Sequence, residues 1–159
     1  MPYTWPWSGL VAKFKFQNQP AWAQHFANLM KSAPFVADAI DQADGLIPIP
    51  LSSKRLAERG FNQSLVLSHQ LSRQKTHLHT LLKMWHTPAQ STLPRHERLT
   101  NLKDVFALAP LEFAKLRGQR IMLIDDVMTS GATLNAAALV LKQAGVSHVS
   151  ALVFARTPP

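Results

Sequence analysis

The sequence predicts an α/β domain: a parallel sheet flanked by helices, with a smaller helical segment ahead of it. Three observations carry that reading. Residues Ile121-Met122-Leu123-Ile124 form a continuous apolar run, as in a strand buried on both faces, and end on Asp125-Asp126. Leu134, Ala137, Ala138 and Leu141 follow at i, i+3, i+4 and i+7, the spacing of one helix face, with Gly145 placed as the C-terminal cap. Val146 to Phe154 is a second apolar run. Strand, helix, strand at this spacing is a βαβ unit, and such units build parallel sheets.

Earlier elements follow from the same periodicities. Leu10, Val11, Phe14 and Phe16 suggest a short helical or extended segment. Pro2 and Pro6 suggest that Trp5 and Trp7 lie on an irregular N-terminal arm. Trp22, Phe26 and Leu29 share one face of a helix over residues 20–31, with Pro20 in its first turn. Gly45 to Ile49 reads as a short buried strand stopped by Pro50. Phe61 to about Gln74 reads as a helix with Asn62 as N-cap, and Thr80 to Trp85 as a strand. Residues 86–104 read as a polar loop holding a short helix.

The 159 residues suit one domain, large enough to bury a core without crosslinks. Cysteine is absent, which excludes a disulfide scaffold, a thiol nucleophile and a Cys-based zinc site, and fits a reducing setting. No apolar run is long enough to span a bilayer and no secretory leader is visible, so a cytoplasmic location is expected. The net charge of +8 is uneven: 0 over residues 1–50, +7 over 51–103 and +1 over 104–159. A polyanionic partner is expected, and the middle segment must account for it.

The loop after the apolar run has the chemistry of a phosphate site. In open α/β sheets, ligands bind beyond the carboxyl ends of strands. A helix N-terminus offers unpaired N–H groups and partial positive charge. Gly131 lets the backbone approach closely, and Thr129, Ser130 and Thr133 add hydroxyl donors. Asp125 and Asp126 do not suit the phosphate, so they face hydroxyls, a metal ion or a developing cation. A ligand with a phosphate at one end and a sugar diol at the other satisfies both halves.

Residues 121–133, ending Asp125-Asp126-Val127-Met128-Thr129-Ser130-Gly131-Ala132-Thr133, resemble the thirteen-residue signature of type I phosphoribosyltransferases. Ile47-Pro48-Ile49-Pro50, Arg59-Gly60-Phe61-Asn62-Gln63, and then Gln90, Arg98, Asn101 and Phe106 resemble the competence protein F (ComF) family, in order, over most of residues 45–156. Many ComF relatives begin with a four-cysteine zinc module; this chain resembles the phosphoribosyltransferase domain alone. The resemblance implies a core at 45–156 and a helical hood at 1–40. It implies that the loop at 129–133 binds the 5′-phosphate of phosphoribosyl pyrophosphate, and that Asp125 and Asp126 hold the ribose and favour an oxocarbenium-like centre. It assigns the pyrophosphate to Ser52, Ser53, Lys54 and Arg55. Arg59 and Asn62 either reach that pocket or fix the loop to the next helix. Gln90, Arg95 and Arg98 lie on a segment that closes over substrate in such enzymes, against the plain alternative of an exposed hairpin. Mg²⁺ is the implied cofactor, held through substrate oxygens and water. The implied activity is phosphoribosyl transfer to an unidentified acceptor, linked to DNA uptake. The competing reading is a non-catalytic competence factor that binds phosphoribosyl pyrophosphate or single-stranded DNA, in contact with the competence machinery. Oligomeric state stays open.

Overall fold

The structure, a computed structural model, describes residues 1–17, 19–84 and 105–158. Three helices come first: α1 (Trp7–Phe16), α2 (Trp22–Lys31) and α3 (Val36–Gln42). Strand β1 (Gly45–Pro48), helices α4 (Ser53–Arg59) and α5 (Gln63–Ser72), and strands β2 (Leu81–Lys83) and β3 (Phe106–Leu108) follow. The chain then forms α6 (Phe113–Leu116), β4 (Arg120–Met128), α7 (Ala132–Gln143) and β5 (His148–Arg156). The predicted parallel sheet is present, in the order β1-β4-β5 with both pairings parallel, and β2 and β3 pair antiparallel as a separate ribbon.

Alternation along β4 divides the core into two layers. Met122 and Ile124 face a cluster with Val11, Phe14, Phe26, Met30 and Leu67, from α1, α2 and α5. Ile121 and Leu123 face a cluster with Leu81, Phe106, Leu116, Ala137 and Leu141, from the ribbon, α6 and α7. Phe154 of β5 anchors the first layer: its ring stacks on Phe26 at 4.1 Å and meets Trp7 edge-on at 5.8 Å. Such contacts add about 0.5–1.5 kcal/mol each beyond area burial.

Several expectations are revised. The first apolar segment is a full helix, and Trp7 belongs to it and packs inward; Trp5 alone remains on the surface, at 86% exposure. Helix α3 lacks a Ser, Thr, Asp or Asn cap; its N-cap is Phe35, at a left-handed φ of 65°, so the usual start signal is missing. The helix expected from Phe61 to Gln74 spans Gln63–Ser72, because Asn62 holds the cap position with its side chain accepting from the Leu65 N–H. The largest revision concerns β4, which does not end at the two acids but runs on to Met128 beside β5, so the acids lie inside a strand.

Candidate active site at the carboxyl edge of the sheet

The site exists because β4 outruns its neighbour. Strand β1 ends with Pro48 opposite Ile124, and the Ile49 N–H donates to the Ile124 carbonyl at 2.9 Å. Pro50 has no N–H and cannot extend the ladder. Asp125 and Asp126 therefore project just past the end of β1, where open α/β sheets form their ligand crevice.

Asp125 is the better prepared of the two. Its Oδ1 accepts from the Ser64 hydroxyl at 2.9 Å and from the Asp126 N–H at 2.9 Å. Burial, and then the neighbouring Asp126 carboxylate, push its pKa up to about 6; the two hydrogen bonds and the Lys15 charge restrain the rise. The Asp126 carboxylate is buried and pairs with the Lys15 ammonium at 3.0 Å. Downstream, Thr129 and Ser130 are exposed, and Gly131 sits at φ 77°, a left-handed conformation that opens α7. The Ala132 N–H donates to the Ser130 hydroxyl at 3.4 Å. A small concavity here is lined by Asp125, Val127, Met128, Thr129, Gly131, Ala132, Thr133 and Leu134, and Asp126 is not among them. One acid thus shares a wall with all but Ser130 of the predicted phosphate loop.

The β1 exit is built differently. Ser52 caps α4 by accepting from the Arg55 N–H at 3.4 Å, and Ser53, Lys54 and Arg55 are exposed in the first helical turn. The joint that follows explains the Arg-Gly-Phe-Asn-Gln block. The Arg59 guanidinium lies over the Phe16 ring at 5.2 Å and donates to the Gln63 side-chain oxygen at 3.0 Å. Gly60 ends α4 at φ 77°, and Phe61 packs against Phe14 at 5.5 Å. The Asn62 amide donates to the Ile49 carbonyl at 3.1 Å while its oxygen caps α5. Arg59 and Asn62 both engage the joint, and Asn62 ties it to the β1 exit. The joint also delivers Ser64 to Asp125.

Lys83 of β2 completes the charged set. Burial first, and then Arg55, lower its pKa, while Asp125 opposes that shift. Lys83 therefore lies within electrostatic reach of both edges of the site. It also lines a cavity of about 590 Å³, with Pro48, Pro50, Leu51, Asn62 and His79 among the other walls. Gln90, Arg95 and Arg98 lie outside the described residues. Among the described residues, no group of three or more His, Asp or Glu could hold a metal ion.

Three participants escaped the sequence reading, Ser64, Lys15 and Lys83. Ser64 directly follows the Arg-Gly-Phe-Asn-Gln block, so its position in the helix was a usable signal. Lys15 lies 111 positions before Asp126, and no local pattern links them.

Comparison with known proteins identifies the family. A phosphoribosyl transferase domain model matches residues 28–158. Competence protein F of Haemophilus influenzae is 36% identical, over 97% of this chain and 69% of that protein. DNA utilization protein YhgH of Salmonella typhimurium is 30% identical, over 98% and 69%. Competence protein ComFC of Bacillus subtilis is 33% identical, over 92% and 58%. The solved structure of the allosteric regulatory enzyme of purine biosynthesis shares the fold, with a TM-score of 0.52 over 83% of this chain and 25% of that one, at 15% identity. A chain with this sheet edge and these relatives belongs to the phosphoribosyl transferase domain family, in its competence protein F branch.

Proposed function

We propose that the protein binds phosphoribosyl pyrophosphate across the two strand ends and transfers the phosphoribosyl group to a nucleophilic acceptor. The single observation that carries this reading is the placement of Asp125. It adjoins the loop at 129–133, and it stands one position beyond the last paired residue of β1. A ligand spanning the two loops would place its sugar over that carboxylate.

Each part then has a job. The loop N–H groups and the Thr129, Ser130 and Thr133 hydroxyls take the 5′-phosphate, helped by the α7 N-terminus. Asp125 accepts from the ribose hydroxyls, and its negative charge favours the cationic sugar that forms as the bond from C1 to the pyrophosphate oxygen breaks. Lys54 and Arg55 attract the departing pyrophosphate, with Lys83 within electrostatic reach of Arg55. The acceptor's lone pair forms the new bond at C1, and its proton is lost to solvent or to a base. Asp125 is the carboxylate donor facing this space and Asp126 is already paired, a donor set that fits Mg²⁺ held mainly by substrate oxygens and water. When bound, Mg²⁺ would neutralise pyrophosphate charge.

The names of its relatives, competence protein F, ComFC and DNA utilization protein YhgH, support a role for this activity in competence or DNA utilization. A second reading, single-stranded DNA binding, draws on the +7 charge of residues 51–103 and the exposed Lys54 and Arg55. Pyrophosphate release from phosphoribosyl pyrophosphate and Mg²⁺ over a panel of nucleobases tests transfer. Release with at least one base supports it; binding without release across the panel would leave a sensor. DNA affinity that falls steeply with salt and with Lys54→Met and Arg55→Met would support the second reading.

A further inference from the structure

The two acids of the site have different partners, and only one of them is paired to a cation among the described residues. Met122 and Ile124, at even positions, face the layer containing α1; Ile121 and Leu123, at odd positions, face the opposite layer. Asp126 continues the even set and meets Lys15 of α1 at 3.0 Å. Asp125 instead accepts from Ser64 of α5 and lines the concavity of the 129–133 loop, which Asp126 does not. The ion pair is well enclosed, with side-chain exposures of 15% for Lys15 and 9% for Asp126.

Lys15 is also held from behind. Its neighbour Phe14 is fully buried and meets Phe26 edge-on at 5.4 Å and Phe61 at 5.5 Å. The register of α1 over the sheet is therefore fixed by packing, and the ammonium cannot drift far from Asp126. A buried carboxylate beside a second carboxylate is costly unless paired. Lys15 removes that cost for Asp126.

We propose that Lys15 is a positioning residue that divides the acidic pair, holding Asp126 as its ion-pair partner and leaving Asp125 as the carboxylate presented to the ligand. The N-terminal helices thereby contribute to the chemistry of the sheet edge through a charge, although Lys15 itself does not touch the ligand. The inference rests on the proposed function only for the identity of that ligand.

The test uses the full chain with Lys15→Met, Lys15→Arg, Asp126→Asn and the double variant Lys15→Met/Asp126→Asn. Calorimetry with phosphoribosyl pyrophosphate and Mg²⁺ at pH 7 should show about tenfold or greater weakening in Lys15→Met, where an unpaired Asp126 repels the ligand and disturbs Asp125. Lys15→Arg, which keeps the cation, and the double variant, which removes both charges, should return to within about threefold of wild type. Should Lys15→Met fail to fold, Lys15→Arg and the double variant still decide. A folded double variant that stays as weak as Lys15→Met would overturn the proposal, because Asp126 would then be a direct contact. If the wild type does not bind phosphoribosyl pyrophosphate, the proposed function fails, and titration of the Asp125 carboxyl by NMR in ligand-free protein decides the inference. The charged groups bearing on Asp125 among the described residues are Asp126, Lys15 and Lys83. The Asp125 midpoint should rise in Lys15→Met and fall back in the double variant; an unmoved midpoint would refute the division of roles.

Discussion

The two loops at the carboxyl edge of the sheet suit anions by opposite means. The β4 exit has almost no positive charge of its own: Thr129 to Thr133 offer hydroxyls, backbone N–H groups and a left-handed glycine. The β1 exit offers Lys54 and Arg55, exposed in the first turn of a helix capped by Ser52. A loop of fixed dipoles depends on backbone shape and is insensitive to salt. A loop of mobile charges depends on ionic strength and tolerates changes of shape. Under the proposed function, the charge asymmetry of the sequence, +7 in residues 51–103 against +1 in 104–159, would divide two kinds of anion recognition.

The largest way to break this comparison is at Gly131. Its φ of 77° is one that a β-branched residue resists, at a cost of about 1–3 kcal/mol. Gly131→Val should lower thermal stability and abolish phosphoribosyl pyrophosphate binding at any salt concentration. Binding that survives with wild-type affinity would show that the loop shape is not used. Removing both Lys54 and Arg55 as methionine should leave the melting temperature nearly unchanged, since exposed charges contribute at most about 1 kcal/mol to stability. It should flatten the salt dependence of ligand binding, read by calorimetry at low and high salt. An unchanged salt slope would move the pyrophosphate site elsewhere.

Effects on Asp125 sharpen the comparison further. Its folded pKa, about 6, lies above the ordinary carboxylate value of 3.8, so the protonated form is favoured by folding. That contribution to stability is complete below pH 3.8 and is lost as pH rises to about 6. Binding through an ionised Asp125 should run the other way, strengthening as pH rises through about 6. Ser64→Ala removes a bond that favours the ionised form. It should shift the binding profile to higher pH, the smallest of these effects; a shift to lower pH would contradict the geometry.

Much of this edge was legible in the sequence because its signals are local. An apolar run, two acids, a small polar turn and a helix face lie within one continuous stretch. Asn62 declares itself as a cap by residue type. What was illegible depends on distant partners. Strand β4 continues through the acids because β5 pairs with it as far as Met128 opposite Arg156, which no window around Asp125 reveals. The Lys15–Asp126 pair forms only after α1 packs on the sheet. Helix α3 begins at a phenylalanine in a left-handed conformation, which gives no capping signal. Trp7 looked like part of an arm because Pro2 and Pro6 precede it, yet tertiary packing against Phe154 decided its place.

The proposed function requires Asp125 to be the carboxylate that meets the sugar. Calorimetric titration of phosphoribosyl pyrophosphate with Mg²⁺ into the wild type and Asp125→Asn tests it most directly. Measurable binding to the wild type, weakened about tenfold or more in a folded Asp125→Asn, is the predicted result, in line with loss of a charge-assisted hydrogen bond. No binding to the wild type, or equal binding to both proteins, would contradict it.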